Sequence, residues 1–136
     1  MKTKTTKLLF TVITIVCIVC LVSCSQTSPE DLWKKATYPS DVSLGTGKTT
    51  VTIDIQLADF TTTITLKTDK STLGDAMFEH GLINDPSFFD TLNGIKADWD
   101  KDNAYWAFYE GENMMMVGVN DTKIENGDHY RFVYTK

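Results

Sequence analysis

The chain has 136 residues, of which 42% are hydrophobic and 23% charged, and its formal net charge is −5 at pH 7. This length suits one domain with one hydrophobic core, so a large two-lobed enzyme is excluded. The acidic balance argues against nucleic acid and against anionic lipid surfaces as partners.

The first 23 residues are typical of a secretory signal peptide. Lys2, Lys4 and Lys7 precede an apolar run from Leu8 to Val22, which is shorter than the roughly 20 residues of a transmembrane helix. Removal of residues 1–23 takes away three lysines and no acidic residue, which leaves 10 basic and 18 acidic side chains and a formal charge of −8. The exported domain is therefore expected to be more acidic than its precursor.

The apolar run ends in Leu21-Val22-Ser23-Cys24, which resembles a bacterial lipobox. The cysteine of a lipobox receives a diacylglycerol on its sulfur and becomes the mature N-terminus, and two acyl chains suffice for stable anchoring. We expect lipidation at Cys24 and a location on the extracellular face of the cytoplasmic membrane of a Gram-positive bacterium. The alternative is an ordinary signal peptide or membrane anchor with an incidental cysteine. Cys17 and Cys20 are lost on cleavage, so no disulfide is expected.

Residues 24–48 are predicted to form the lipidated cysteine and a polar tether, followed by a domain at 49–136. Ser28-Pro29 and the two acidic residues after it favour a short helix within this tether. Trp33 and Tyr38 are expected to dock on the domain. If residues 24–48 were all random coil, they would hold the domain away from the surface of the bilayer.

Strict alternation of apolar residues over 51–57 predicts the first strand of the domain. A second strand, with Ile64 and Leu66 on one face, is predicted after a turn near Ala58. The two strands together form a first hairpin.

Residues 71–81 change to helical spacing, which predicts one short helix. Ser71 is expected to cap its N-terminus and Gly81 to end it in the left-handed conformation. The side that faces the sheet is expected to consist of Leu73, Ala76 and Met77.

Asn93-Gly94 and Asn126-Gly127 are strong signals for tight turns. The first joins predicted strands at 88–92 and 95–99, and the second leads into a strand at 130–134. A hairpin, a crossing helix and returning strands are the order of elements in a β-grasp. The predicted fold class is therefore α+β, with a mixed sheet of about five strands and one crossing helix.

Residues 104–120 consist of two apolar runs on either side of a polar turn, and they are predicted to form a hairpin that is apolar on both faces. A hairpin in a small domain usually keeps one face polar. One face is expected to complete the core. The other either forms an exposed platform of aromatic and methionine side chains for a planar ligand, or is covered by Trp33 and Tyr38.

Patterns for metal binding and catalysis are weak. The aspartates at 98, 100 and 102 alternate like the start of an EF-hand loop, but Asn103 replaces the glycine expected at the sixth position. His80 and His129 have no second metal ligand at a useful spacing. No serine or cysteine nucleophile has a positioned histidine. We expect neither a metal site nor an enzyme.

From Trp33 onward the chain resembles a family of Gram-positive surface lipoproteins related to the C-terminal β-domain of transcobalamin and intrinsic factor. The segments that carry the resemblance are LWKKATYPSD, LGTGK, TLGDAMFEHGLI, LNGIKADWDKDNAYWAFY and MVGVNDTKIENGDHYRFVYT. The similarity to the animal carriers themselves is limited to the asparagine turn before Ile95, Tyr105-Trp106 with Phe108, and Gly118-Val119 with Asp121 and Ile124.

The resemblance implies that the domain binds cobalamin or another corrinoid, without a covalent cofactor, and presents it to a membrane uptake transporter. In the carriers the small domain closes over one face of the corrin with an aromatic residue and a hairpin. The corresponding ligand contacts here are expected from Tyr105, Trp106, Phe108, Met115, Met116, Val117 and Gly118. The carriers add a large helical domain, so weaker affinity is expected here. The alternative is a protein-interaction or wall-associated module that uses the same aromatic face.

Overall fold

The structure, a computed structural model, describes residues 26–136. The predicted signal peptide at 1–23 and the predicted lipidation site Cys24 lie outside the described residues. Between residues 26 and 136, no helix has the length and apolar character needed to cross a membrane.

A mixed six-stranded sheet forms the centre of the fold, and its order is β1-β3-β2-β8-β6-β7. β1 pairs with β3 and β2 with β8 in parallel, whereas the remaining pairs are antiparallel. The predicted α+β class with a mixed sheet is confirmed, with six strands in place of about five. The elements in chain order are α1 (Pro29–Trp33), β1 (Val42–Gly45), β2 (Thr49–Leu57), β3 (Phe60–Thr68), α2 (Leu73–Glu79), β4 (Thr91–Leu92), β5 (Ile95–Lys96), α3 (Trp99–Asp102), β6 (Tyr105–Glu110), β7 (Asn113–Met114) and β8 (His129–Thr135).

β2 and β3 form the predicted hairpin. Their apolar residues lie on one face because side chains alternate across a strand. Val51 pairs with Leu66 and Ile53 with Ile64, and all four side chains are buried. Ala58, with a φ of 51°, lies in the turn between the two strands.

Helix α2 contributes its buried face to the core and is close to the predicted helix. It begins one residue later than predicted, because Thr72 in place of Ser71 is the N-cap and accepts a hydrogen bond from the Asp75 amide at 3.3 Å. Gly81, with a φ of 66°, follows the helix as predicted. The buried side contains the predicted residues Leu73, Ala76 and Met77.

Strand β8 lies between β2 and β6 and joins the two halves of the sheet. The predicted turn before it is confirmed: Gly127 has a φ of 96°, and Asn126 accepts a hydrogen bond from the Thr50 amide at 2.9 Å. Phe132 of β8 stacks on Phe108 of β6 with ring centroids 4.8 Å apart. These contacts close the core on the face covered by α2.

The Asn93-Gly94 turn is also confirmed, with φ values of 52° and 80°. The strands on either side are shorter than predicted, because β4 and β5 have only two residues each. Trp99, predicted at the end of a strand, instead begins α3, which Asp98 caps. The two strands pair with each other as a separate ribbon.

Residues 29–45 include elements of the folded domain, which corrects the prediction of a tether over 24–48. Leu32 and Trp33 are buried in the core, and the Trp33 ring stacks on Phe60 with centroids 5.6 Å apart. Strand β1 extends the sheet beside β3. The described chain is therefore in contact with the domain from helix α1 onward.

The tether prediction failed because long-range contacts hold this polar segment. The Asn93 side chain accepts a hydrogen bond from the Tyr38 amide at 2.9 Å and donates one to the Tyr38 carbonyl at 3.0 Å. These partners are 55 residues apart, so no local pattern shows their contact. The local features were predicted correctly, since Ser28 caps α1 and Trp33 docks on the domain.

The second half of the predicted 104–120 hairpin is wrong. β6 pairs with β8 over its whole length, but β7 is limited to two residues. After Met115, whose amide donates to the Phe108 carbonyl at 2.8 Å, the chain leaves the sheet. The Val119 carbonyl accepts a hydrogen bond from Gly74 at 2.9 Å, which holds this loop at the start of α2.

Candidate functional site

A cleft of about 460 Å³ opens beside the start of β6. Three segments form it: the loop at 87–90, residues 96–100 at β5 and α3, and residues 104–106. Gly118 and Val119 complete its lining. Small-molecule sites commonly enclose about 300–1,000 Å³, so this volume is sufficient for a small ligand or for part of a large one.

Three aromatic side chains surround the cleft and are open to solvent. Phe88 is 83% exposed, Trp99 61% and Tyr105 42%. The rings of Trp99 and Tyr105 meet edge to face, with centroids 6.0 Å apart and an interplanar angle of 65°. Exposed apolar residues are normally scattered singly over a protein surface. Three exposed rings around one concave site are therefore typical of a binding surface.

A short capped turn positions two of these rings. The Asp98 side chain accepts a backbone hydrogen bond at 3.0 Å and caps α3, so Trp99 lies in the first turn. Asn103 has a φ of 51° and ends the helix in the left-handed conformation. The Ala104 amide then donates to the Asp98 carbonyl at 3.2 Å, which returns the chain directly to Tyr105.

Trp106 and small apolar residues form the inner wall of the cleft. The Trp106 indole N–H donates to the Ile95 carbonyl at 3.3 Å, and its ring meets Tyr134 edge-on with centroids 5.3 Å apart. Ala97 and Ala104 are buried in the same wall. Because both are small, they leave the space that the cleft occupies.

Lys96 links two carboxylates at the edge of the cleft. Its Nζ atom lies 3.4 Å from Asp90 and 3.6 Å from Asp98. The Thr91 hydroxyl donates to Asp90 at 2.7 Å, and this bond together with Lys96 lowers the pKa of the Asp90 carboxyl. The charge of Asp90, followed by that of Asp98, raises the pKa of Lys96. The edge of the cleft is therefore polar and ionised, in contrast to its apolar centre.

The structure separates the seven predicted ligand-binding residues into three groups. The cleft is lined by Tyr105, Trp106 and Gly118. The loop before Gly118 exposes Met116 and Val117. The core receives Phe108 and the partly buried Met115.

The expectation that Trp106 belongs to an outward platform is corrected by the register of β6. Trp106 lies opposite Tyr134 and Phe108 opposite Phe132 in β8, and both β6 side chains are only 9% exposed. Side chains alternate along a strand, so Tyr105 is left on the exposed side. The sequence pattern predicted the alternation but did not show which set faces the core.

Phe88 and Trp99 were not predicted as site residues, because both were assigned to strands around the Asn93 turn. A signal for Trp99 was present, since Asp98 followed by acidic residues is typical of a helix start. For Phe88 the available signal was Pro86, which disfavours an interior strand. Neither signal showed that the two rings come together.

The two histidines lie outside the cleft. His129 Nε2 is 2.7 Å from the Asp54 carboxylate, which also accepts a hydrogen bond from the Thr63 hydroxyl at 2.8 Å. His80 is the C-cap of α2, and its Nε2 lies 3.7 Å from the Glu79 carboxylate. Over the described range 26–136, no three His, Cys, Asp or Glu side chains are grouped to hold a metal ion.

The fold and the cleft define a small α+β domain with a mixed sheet and an aromatic-rimmed cleft. Residues 66–136 match a family described as a domain of unknown function, DUF4430. The chain belongs to this family.

Two solved structures resemble parts of this one. A protein from Ruminococcus gnavus ATCC 29149, provisionally described as a metal binding protein, has a TM-score of 0.60 and 19% identity over 65% of this chain and 98% of its own. This similarity shows the fold. Haptocorrin in complex with Cbi has a TM-score of 0.49 and 16% identity, over 68% of this chain and 26% of haptocorrin. No curated protein matches this chain significantly.

Proposed function

We propose that this protein is a cell-surface lipoprotein whose cleft binds cobalamin or a related corrinoid for uptake. The observation that carries the proposal is the aromatic mouth, where Phe88, Trp99 and Tyr105 expose flat rings around an apolar cleft. Such rings favour stacking and edge contacts with a planar macrocycle. The sequence resemblance to the β-domains of cobalamin carriers supports the same ligand class and includes residues of this cleft.

The cleft would hold one side of the ligand. Its volume of about 460 Å³ lies in the lower part of the range of small-molecule sites, about 300–1,000 Å³. Met116, which is 91% exposed, and Val117 adjoin the cleft through Gly118 and extend the apolar surface beyond the mouth. A flexible methionine adapts to an irregular ligand surface. A partly enclosed ligand remains accessible to a transporter, which suits delivery for uptake.

The polar edge supplies hydrogen-bond acceptors for the periphery of a corrinoid. Corrinoids carry amide side chains whose N–H groups are donors, and carboxylates are strong acceptors. Asp98 and Asp100 line the cleft beside Trp99. In this proposal the aromatic rings contact the macrocycle, and the carboxylates accept hydrogen bonds from the amide groups around it.

Trp99→Ala is expected to weaken corrinoid binding by about 1–3 kcal/mol, or about 5- to 150-fold in Kd, because it removes an exposed aromatic anchor. The melting temperature should change little, since the ring is 61% exposed. Isothermal titration with cyanocobalamin measures the affinity of the wild-type domain from Ser25 onward and of its Trp99→Ala variant.

Phe78→Ala is the matched control, because Phe78 is a 51% exposed aromatic on α2 that does not line the cleft. This variant should bind cyanocobalamin like the wild type. Equal losses in both variants would contradict the cleft assignment. If the wild type shows no saturation up to millimolar cobalamin, stand-alone corrinoid binding fails and the polypeptide-binding alternative is favoured.

Cys24→Ser is expected to release the protein from the membrane fraction, since the proposed lipid is attached to this sulfur. Cys20→Ser is the control, because Cys20 lies before the proposed cleavage point and its loss should leave anchoring intact. Cell fractionation measures how much protein remains in the membrane fraction. Mass spectrometry of the mature N-terminus shows whether Cys24 carries the lipid. An unmodified Cys24, or cleavage at another position, contradicts the lipoprotein proposal.

A further inference from the structure

A second groove, of about 460 Å³, lies at the end of the sheet where β2 turns into β3. It is separate from the corrinoid cleft, with which it shares no lining residue. Apolar side chains and one lysine form most of its surface: Pro29, Leu32, Leu57, Ala58, Tyr134 and Lys136. No acidic residue lines it, although the chain as a whole is acidic.

The chain enters the domain along this groove, because Gln26, Thr27 and Ser28 belong to its wall. Cys24 is two residues before Gln26 in the sequence. At about 3.6 Å per residue, two residues of extended chain can span at most about 7 Å. The proposed lipid attachment point therefore has only a short reach of chain to the groove.

We propose that the groove docks on the bilayer into which the acyl chains of the lipid on Cys24 are inserted, so that this end of the sheet lies against the membrane. The inference rests on the proposed lipidation. Lipid hydrocarbon suits the groove because its lining is mainly apolar and contains no acidic side chain. Helix α1 begins only five residues after Cys24, so little chain remains to separate the domain from the membrane.

This docking also orients the corrinoid cleft. β8 is parallel to β2, with Gln56 opposite Val133, so Leu57 and Tyr134 lie at the same end of the sheet. Tyr105, at the cleft, pairs with Thr135 at that end. Tyr105 therefore lies at the end of the sheet that the proposed docking turns toward the bilayer. With the cleft oriented in this way, the proposed transporter, embedded in the same membrane, would contact the ligand from the membrane side.

A fluorescent probe at the groove tests the proposal. In the mature lipidated protein the sulfur of Cys24 is blocked, so Ala58→Cys offers one thiol for an environment-sensitive fluorophore. Ala58 is exposed beside the groove, and a cysteine changes its volume little. In phosphatidylcholine vesicles that contain lipids with nitroxide-labelled acyl chains, we expect loss of most of the fluorescence.

Glu112→Cys is the matched control, because Glu112 is 98% exposed in the β6–β7 turn at the opposite end of the sheet. Its fluorophore should keep its full intensity in the same vesicles. Equal intensities at the two positions in lipidated protein would overturn the docking. Quenching at Ala58 in the unlipidated domain from Ser25 onward would overturn the role of the Cys24 lipid in holding the groove at the bilayer. Mass spectrometry that finds no lipid on Cys24 would instead reject the anchoring proposal itself.

Discussion

Met77→Asp is expected to lower the free energy of unfolding by about 3–5 kcal/mol, which is a large part of the total stability of a small domain. Met77 lies fully buried on the face of α2 that packs in the core. A carboxylate at this position would lose its hydration and gain no partner. Denaturant unfolding followed by circular dichroism measures the loss.

Phe78→Asp provides the control for this experiment. Phe78 is the next residue of α2 but is exposed, so a charge there remains hydrated. Its effect on the unfolding free energy should stay within about 0.5 kcal/mol. If Met77→Asp melts at the wild-type temperature, the buried face of α2 is wrongly assigned.

Trp106→Ala is expected to cost about 3–5 kcal/mol of stability, because truncation of a core tryptophan leaves a cavity. The substitution also removes the hydrogen bond to the Ile95 carbonyl and the edge contact with Tyr134. Thermal melting and corrinoid titration on the same protein separate this outcome from a loss of binding alone. Weakened binding at an unchanged melting temperature would restore the exposed-platform prediction for Trp106.

Tyr105→Ala is the internal control on the neighbouring residue. Tyr105 is 42% exposed and lines the cleft, so its truncation should weaken binding and leave the melting temperature almost unchanged. The two neighbours should therefore show opposite phenotypes, because alternation sends their side chains to different faces of β6.

The elements predicted correctly from the sequence are those that local periodicity determines. The β2–β3 hairpin follows from alternating apolar residues, and α2 follows from the spacing of Leu73, Ala76 and Met77. The turns at Asn93 and Asn126 follow from the conformational freedom of Asn-Gly pairs. Each of these signals lies within about ten residues of chain, which is the range that sequence patterns resolve.

The parts that were missed depend on contacts between distant residues. Tyr38 is held by Asn93, and Trp33 by Phe60, so a segment of polar composition became part of the domain. The cleft likewise combines side chains from three separate segments. Which face of β6 is buried depends on its pairing with β8 rather than on its own sequence. None of these long-range contacts is indicated by a local sequence pattern.

Because β8 lies between β2 and β6, the sheet can be completed only after the C-terminal strand has been synthesised. Thr52 of β2 pairs with His129 of β8, a separation of 77 residues. Until β8 is present, β1-β3-β2 and β6-β7 have no strand to join them. Non-local parallel pairing of this kind slows folding. A nascent chain would therefore stay incompletely folded until residues 129–135 are available for pairing with β2 and β6.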